Sequence, residues 1–415
     1  MTSFPALGSP LSGTGLPPTG APGTTAWRAV LALAVVLVLL ATTGWTAIRE
    51  HDRTPGPYAA GQLAWKKGIV GGRHLPGTDE GAGVISRFFR SLTAAQRLRL
   101  ADRYPLVVGN LGGAPVKLRY RANHTALLKA RAVERTRMAD DRLTDDGRLL
   151  ARHRVERFGS MLRPGRQILA FDPTGRGHAA EVFGDLDRAR RVSVVVPGVD
   201  TELLTFEKEG NPYAAPVGMA RALQERQQAA APHLPTATVA WADYTAPVGI
   251  GVDAASGRLA QEGAERLTGF VRALGGSSRV ALFCHSYGSV VCGEAADKLP
   301  GRVSDITVSG SPGMRADRAD DLGTSARVWA TRDNDDWIAD VPHMEVGGLG
   351  HGADPVSRAF GARRLSAGGA VGHTGYYVPG TGSLDNFADI ATGSYTAVNC
   401  AASDPGCVGG PTESL

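Results

Sequence analysis

Arg279-Val-Ala-Leu-Phe-Cys-His-Ser-Tyr-Gly-Ser-Val-Val-Cys292 is the stretch on which the fold turns. Residues 280–283 are apolar at every position, as in a strand buried on both faces. Small Gly288, Ser289 and Gly293 then let a helix leave at once and pack close. Ser286 stands at the junction. Such a turn lifts a hydroxyl above the sheet, beside the first free N–H groups of the helix, which stabilise developing negative charge. Cys284-His285-Ser286-Tyr287-Gly288 matches G-x-S-x-G except at its first position, where cysteine is small and apolar enough to fit. The bland alternative is a buried strand that happens to end in His-Ser, because short motifs recur by chance.

Working outward, short apolar runs at 192–196, 237–241, 305–309 and 326–330 read as further strands. Helical segments at 217–229, 260–274 and 290–298 lie between them, and 168–175 with 179–183 reads as a hairpin turned by Asp172-Pro-Thr-Gly175. A hairpin followed by βαβ units predicts an α/β fold with a mostly parallel, doubly wound sheet, placed here over 164–397. Ligands of such sheets gather at the carboxyl ends of the strands.

Three strand ends supply matching chemistry. Pro197-Gly198-Val199 follows the 192–196 strand, so the N–H of Val199 together with that of Tyr287 would form an oxyanion hole; a plain Pro-Gly turn is the alternative. The loop 331–338 offers a carboxylate to orient a histidine, with Asp336 the first choice and Asp335 and Asp333 as substitutes, though acidic loop residues are often just solvated. His373, on a glycine-flanked loop beyond the last strand expected at 363–366, would take the serine proton and return it to the leaving group. His351 is the rival base. His285 is set aside, since a residue adjacent to the nucleophile points away from it. His343, Glu345, His351 and Asp354 could be read as metal ligands, but their spacing matches no recognised zinc pattern. No metal or organic cofactor is expected. The loop 243–247 is expected to shape an acyl pocket.

The chain of 415 residues is long enough to bury a full core, and 45 Lys and Arg against 40 Asp and Glu gives no electrostatic case for nucleic acid. After a leader at 1–28, residues 29–48 are twenty uncharged positions dense in Leu, Val and Ala, flanked by Arg28 and Arg49 with Trp27 and Trp45 near the ends. That is the length and decoration of a membrane-spanning helix, a cleaved signal peptide being the competing reading. A Gly-rich linker is expected at 49–83, a helical accessory region at 84–163 and a tail at 398–415. Thr93-Ala-Ala-Gln96 reads as a capping box, and a long helical stretch from Pro115 to about Met161 should break near 145–147. Its interleaved charges read as a solvated face. Arg49, Arg53, Lys66 and Lys67 would keep the large domain cytoplasmic by the positive-inside rule. Cys400 and Cys407, which could close a short disulfide, lean to an extracytoplasmic domain, and that side is favoured; Cys284 and Cys292 read as packing residues.

These residues resemble a bacterial alpha/beta-hydrolase family of unassigned function, whose elbow reads G-H-S-Y-G-S where this chain has Cys284 to Ser289. The likeness extends to Val195-Val-Pro-Gly198, Ser309-Gly-Ser-Pro-Gly313, Asp340-Val-Pro-His343, Gly350-His-Gly-Ala-Asp-Pro355 and Gly372-His-Thr-Gly-Tyr376, and upstream to 105–115 and 119–123. The resemblance implies a hydrolase fold with a Ser/Asp/His triad carried onto Ser286, Asp336 and His373. It supplies no substrate. The expectation is a membrane-anchored serine hydrolase acting on a small-molecule or lipid-like acyl compound through an acyl-enzyme. Acyl transfer on the same fold, or a non-catalytic membrane-tethered interaction module, are the alternatives.

Overall fold

A computed structural model describes residues 55–409, so the leader and the membrane-spanning helix expected before residue 49 lie outside the described residues. Among the described residues no helix is long and apolar enough to cross a membrane.

The strands follow the apolar runs. In chain order they are β1 (Ile69–Val70), β2 (Arg73–His74), β3 (Gln167–Asp172), β4 (His178–Gly184), β5 (Arg191–Val196), β6 (Thr236–Ala242), β7 (Arg279–His285), β8 (Val303–Ser309), β9 (Arg327–Thr331), β10 (Glu345–Val346), β11 (Leu349–Gly350) and β12 (Arg363–Arg364). Eight form one sheet in the order β12-β9-β8-β7-β5-β6-β4-β3. Neighbours from β12 to β6 are parallel, while β4 runs against β6 and β3 against β4. Every residue of β6 and β8 is buried, as in strands covered on both faces, although β8 carries Ser304, Asp305, Thr307 and Ser309 into that setting.

The helices that matter for the site are α1 (Pro57–Lys66), α2 (Ala82–Arg90), α3 (Ala94–Arg103), α4 (Pro105–Asn110), α5 (Val116–Met138), α6 (Asp145–Met161), α7 (Pro216–Ala230), α8 (Val252–Ala255), α9 (Arg258–Ala273), α10 (Gly288–Ala295) and α11 (Gly382–Thr392). Alternate residues of a strand face opposite sides, and the core divides accordingly. Val194 and Leu282 pack with Leu267 of α9 and Val290 of α10, whereas Val195 and Phe283 pack with Leu223 of α7 and Phe387 of α11. From β5 the chain goes to β6 on one side, then crosses back to β7 on the other. The carboxyl ends of β5 and β7 therefore flank a topological switch point, the place where ligands of such sheets gather.

The N-terminal helices depart from expectation. The linker expected at 49–83 is, over its described part, a folded element: Trp65 of α1 is buried with Val70 and Leu75 against Ile85 and Phe89, and its indole N–H donates to Pro76 O at 2.7 Å. Glycines gave the segment the look of a linker, and burial of one tryptophan reverses it. The capping box forms, with Gln96 N donating to Thr93 Oγ1 and Thr93 N to Gln96 Oε1. The break between α5 and α6 falls earlier than expected, at 139–144, because the Thr144 side chain caps Gly147 N and starts a new helix there. Nor is the helical region a separate appendage. The Asn110 side chain pairs with both backbone groups of Phe171, and Arg119 and Asn123 donate to Leu169 O and Ile168 O. These side chains cover the outer edge of β3, which would otherwise present unpaired backbone groups.

All four cysteines are bridged, Cys284 to Cys292 and Cys400 to Cys407. The sequence left the second pairing open as a possibility, and the structure closes it. The first corrects the reading of Cys284 and Cys292 as packing residues, for the turn between β7 and α10 folds the helix back until the two Cα atoms are 6.5 Å apart.

Candidate active site

β7 ends at His285 and α10 begins at Gly288, which leaves Ser286 and Tyr287 to make the turn. Ser286 has φ +56°, one of three non-glycine residues with positive φ among the described residues. A left-handed serine is a costly conformation, held here by its N–H donating to Ser309 O at 3.0 Å and by its carbonyl accepting from Ser289 N at 2.9 Å. Only glycine fits at 288, since a Cβ there would lie 2.2 Å from Val196 O. The Cys284–Cys292 bridge spans the turn and ties the strand to the helix on either side of the serine.

Two loops meet this hydroxyl. His373 Nε2 lies 2.9 Å from Ser286 Oγ, and His373 Nδ1 lies 2.8 Å from Asp336 Oδ1. With a carboxylate facing Nδ1, that nitrogen carries the proton, which leaves Nε2 to accept from the serine; this assignment follows from the hydrogen-bond network. Asp336 is buried, and burial alone would raise its pKa. Hydrogen bonds from His373, from the Tyr376 hydroxyl at 2.5 Å and from Ile338 N at 2.9 Å overcome that and hold the carboxyl below its ordinary range.

The same two loops are laced to each other. Gly372 N donates to Asp333 Oδ2 at 2.8 Å, and Asp333 N donates to the Tyr376 oxygen at 3.0 Å. His285 Nε2 donates to the backbone carbonyl of His373 at 2.6 Å, and the two imidazole rings lie 4.8 Å apart. Burial, then the neighbouring His373 ring, push the His285 imidazole down to about 3, so it stays neutral while holding the loop. The side chain of Trp337 covers His373 from outside, ring to ring at 4.7 Å.

On the other side of the serine, the Cα of Gly198 comes so near that a Cβ would sit 2.6 Å from Ser286 Cβ and 3.1 Å from Tyr287 N. The turn is fixed from below by Tyr244, whose hydroxyl donates to Pro197 O at 2.6 Å and whose ring stacks on Trp241. The N–H groups of Val199 and Tyr287 donate to no protein acceptor among the described residues.

Of the expected residues, the structure brings Ser286, Asp336, His373, Gly198 and Tyr287 together. It does not bring the rivals. His351 Nε2 donates to Ala254 O at 2.7 Å and its ring sits edge-on to the Tyr287 side chain, while Asp335 is exposed and meets Asp333 rather than a histidine. Asp354 pairs with Arg332 and Glu345 with Arg315, and among the described residues no three metal-ligating side chains converge. The loop 243–247 differs from expectation in part, since its Tyr244 is buried under the Pro197 turn instead of lining a pocket. Sequence reasoning missed Tyr376 and the holding role of His285. The available signal was its place in the Gly372-His-Thr-Gly-Tyr376 stretch, three residues past His373 and within the short 3-10 segment Gly375–Tyr377.

A family model described as "Alpha/beta hydrolase" matches residues 172–346. An uncharacterized protein of Mycobacterium tuberculosis is 28% identical over 387 residues, covering 77% of this chain and 56% of the relative, so the chain spans little more than half that relative's length. An uncharacterized protein of Mycobacterium bovis is 30% identical over 205 residues, covering 46% of this chain and 76% of its own. Among solved structures, an a/b serine hydrolase without lid from Xanthomonas campestris matches 42% of this chain and 74% of its own at 20% identity, with a TM-score of 0.29. Dienelactone hydrolase from Anabaena variabilis matches 56% and 99% at 15% identity, with a TM-score of 0.33.

Proposed function

We propose, on the premise that this chain belongs to the alpha/beta-hydrolase family, that it is a serine hydrolase cleaving an ester, thioester or amide through an acyl-enzyme. The observation that carries the reading is the continuous relay from Ser286 Oγ through His373 to Asp336, at 2.9 and 2.8 Å.

Ser286 Oγ attacks the acyl carbonyl carbon while its proton passes to His373 Nε2. The carbonyl oxygen becomes an oxyanion held by the N–H groups of Val199 and Tyr287. Collapse breaks the bond to the leaving group, which receives the proton from Nε2 and departs, and the acyl group stays on Ser286. A water molecule then attacks the acyl carbon, His373 again takes the proton, and Ser286 leaves with it as the free hydroxyl. Asp336 keeps the proton of His373 on Nδ1 throughout and stabilises the imidazolium. Tyr376 and Ile338 N hold Asp336, and His285 holds the backbone of His373. The apolar segment 29–48 is assigned the role of tethering this domain to a membrane, with the domain on the extracytoplasmic side, where two disulfides persist.

Steady-state hydrolysis of p-nitrophenyl esters tests the reading. Ser286→Ala and His373→Ala should each lower kcat by about 10⁴-fold or more with an unchanged circular dichroism spectrum. Retention of wild-type turnover by Ser286→Ala would refute it.

A further inference from the structure

We propose that this site takes uncharged acyl esters presented from an apolar phase, and that a collar of exposed apolar side chains around the serine is the surface that receives them; the inference rests on the serine-hydrolase reading above. Each part of the collar is tied to a residue of the site. Asp200, next to Val199, donates its N–H to Pro247 O at 2.9 Å and accepts from Gly249 N at 2.8 Å, which fixes the segment bearing Val248 and Ile250 beside the oxyanion loop. Tyr287 donates its hydroxyl to Ser256 O at 3.1 Å, and Ser256 is bridged to Leu349 of the β10–β11 hairpin, whose other apolar side chain is Val346. On the histidine side, Trp337 adjoins Asp336 and Val371 lies two residues before His373. Val248, Ile250, Val346, Leu349 and Val371 are each more than half exposed, and Trp337 is 43% exposed.

Single exposed apolar residues need no explanation, but six on segments each tied to a residue next to the site make a group, and grouped apolar side chains mark contact with another apolar body. Charge identifies the body. Segments 197–205, 244–257, 333–350 and 366–378 contain no lysine or arginine, although the chain as a whole is net positive. They do carry exposed Asp200, Asp335 and Asp340. Asp253 and Glu345, on the same segments, face the nearest arginines, Arg258 at 3.8 Å and Arg315 at 2.9 Å. An anionic head group would thus meet carboxylates and no lysine or arginine of these segments, whereas an uncharged ester meets apolar surface with nothing to repel it. The occupant is the dispersed neutral ester itself, not an anionic membrane surface.

The test uses the full chain and one acyl group in two forms, a neutral glyceryl ester as an emulsion and the same acyl group as a coenzyme A thioester, together with a short soluble ester as reference. Wild type should favour the neutral emulsion over the anionic thioester by about tenfold or more in kcat/KM. Ile250→Asp/Val346→Asp should lower the ratio of emulsion to short-ester activity by about tenfold, the scale set by withdrawing two apolar side chains from contact. Preference for the thioester, or an unchanged ratio in the double variant, overturns the collar even where a fluorophosphonate probe labels Ser286 and the hydrolase reading stands. No labelling and no cleavage of any of the three substrates overturns both.

Discussion

Replacing Cys284 and Cys292 together by alanine removes the one covalent tie across the turn that holds Ser286. The two half-cystines are 8 residues apart, and closing a loop of that length in the unfolded chain corresponds to about 2.5 kcal/mol of stability on the chain-entropy account. Both sulfurs are fully buried, and losing their packing adds roughly 1 kcal/mol for each. The total is about 4 to 5 kcal/mol. With an unfolding entropy of about 2.1 cal/mol/K per residue over the folded part of the chain, the melting temperature should fall by about 6 °C. Cys400→Ala/Cys407→Ala is the control, because its separation of 7 gives a similar entropic loss far along the chain from the serine. The elbow variant should therefore lose somewhat more stability than the control, whose Cys400 is only partly buried, and only the elbow variant should also lose kcat, since the left-handed Ser286 lies between the bridged residues. Differential scanning fluorimetry with ester turnover reads both quantities, and thiol titration of denatured wild type reads the bridges directly. Four titratable thiols in protein purified without reductant, or a shift under about 1 °C in the elbow variant, would refute the reasoning.

Tyr376→Phe removes the hydroxyl that donates to Asp336 Oδ2 and leaves that buried carboxylate oxygen without its partner. Loss of one charge-assisted hydrogen bond, about 1.5 to 3 kcal/mol, should lower kcat by about ten- to a hundredfold. Because that bond helps depress the Asp336 pKa, its removal should raise the pKa of that carboxyl, which its NMR titration reads; a carboxyl pKa that stays in place contradicts the assigned role. His285 titrates at about 3 when folded and near its ordinary 6.5 when unfolded, so below about pH 6.5 the unfolded chain binds the extra proton. Stability should accordingly be lost as the pH falls from there toward 3, by up to about 1.4 kcal/mol per pH unit from this residue alone. His285→Gln should flatten that part of the urea-midpoint profile, and an unchanged slope would show that the burial of His285 is not what the acid limb reports.

The sheet was legible because parallel strands buried on both faces read as unbroken apolar runs, and 280–283 beside a run of small residues could hardly be anything but a strand feeding a close-packed helix. The order serine, aspartate, histidine was legible for a related reason: each stands just past a strand end, where the fold gathers its ligands. The bridge between Cys284 and Cys292 was not, because nothing in an eight-residue spacing says that the intervening turn brings the two Cα atoms within bonding reach. Tyr376 and His285 escaped for the same physical reason. They act on the loops that carry Asp336 and His373, and contacts between residues 40 and 88 positions apart leave no local signature. The folded character of 57–83 was hidden by its glycines, and only tertiary burial of Trp65 against Ile85 and Phe89 reveals it.

Labelling with a fluorophosphonate probe, followed by mass spectrometry of the tryptic peptide, tests the central claim most directly. The account predicts one adduct per chain, on Ser286, abolished by Ser286→Ala and greatly slowed by His373→Ala. Well-folded protein that takes no label, or an adduct on another serine that persists in Ser286→Ala, would contradict it.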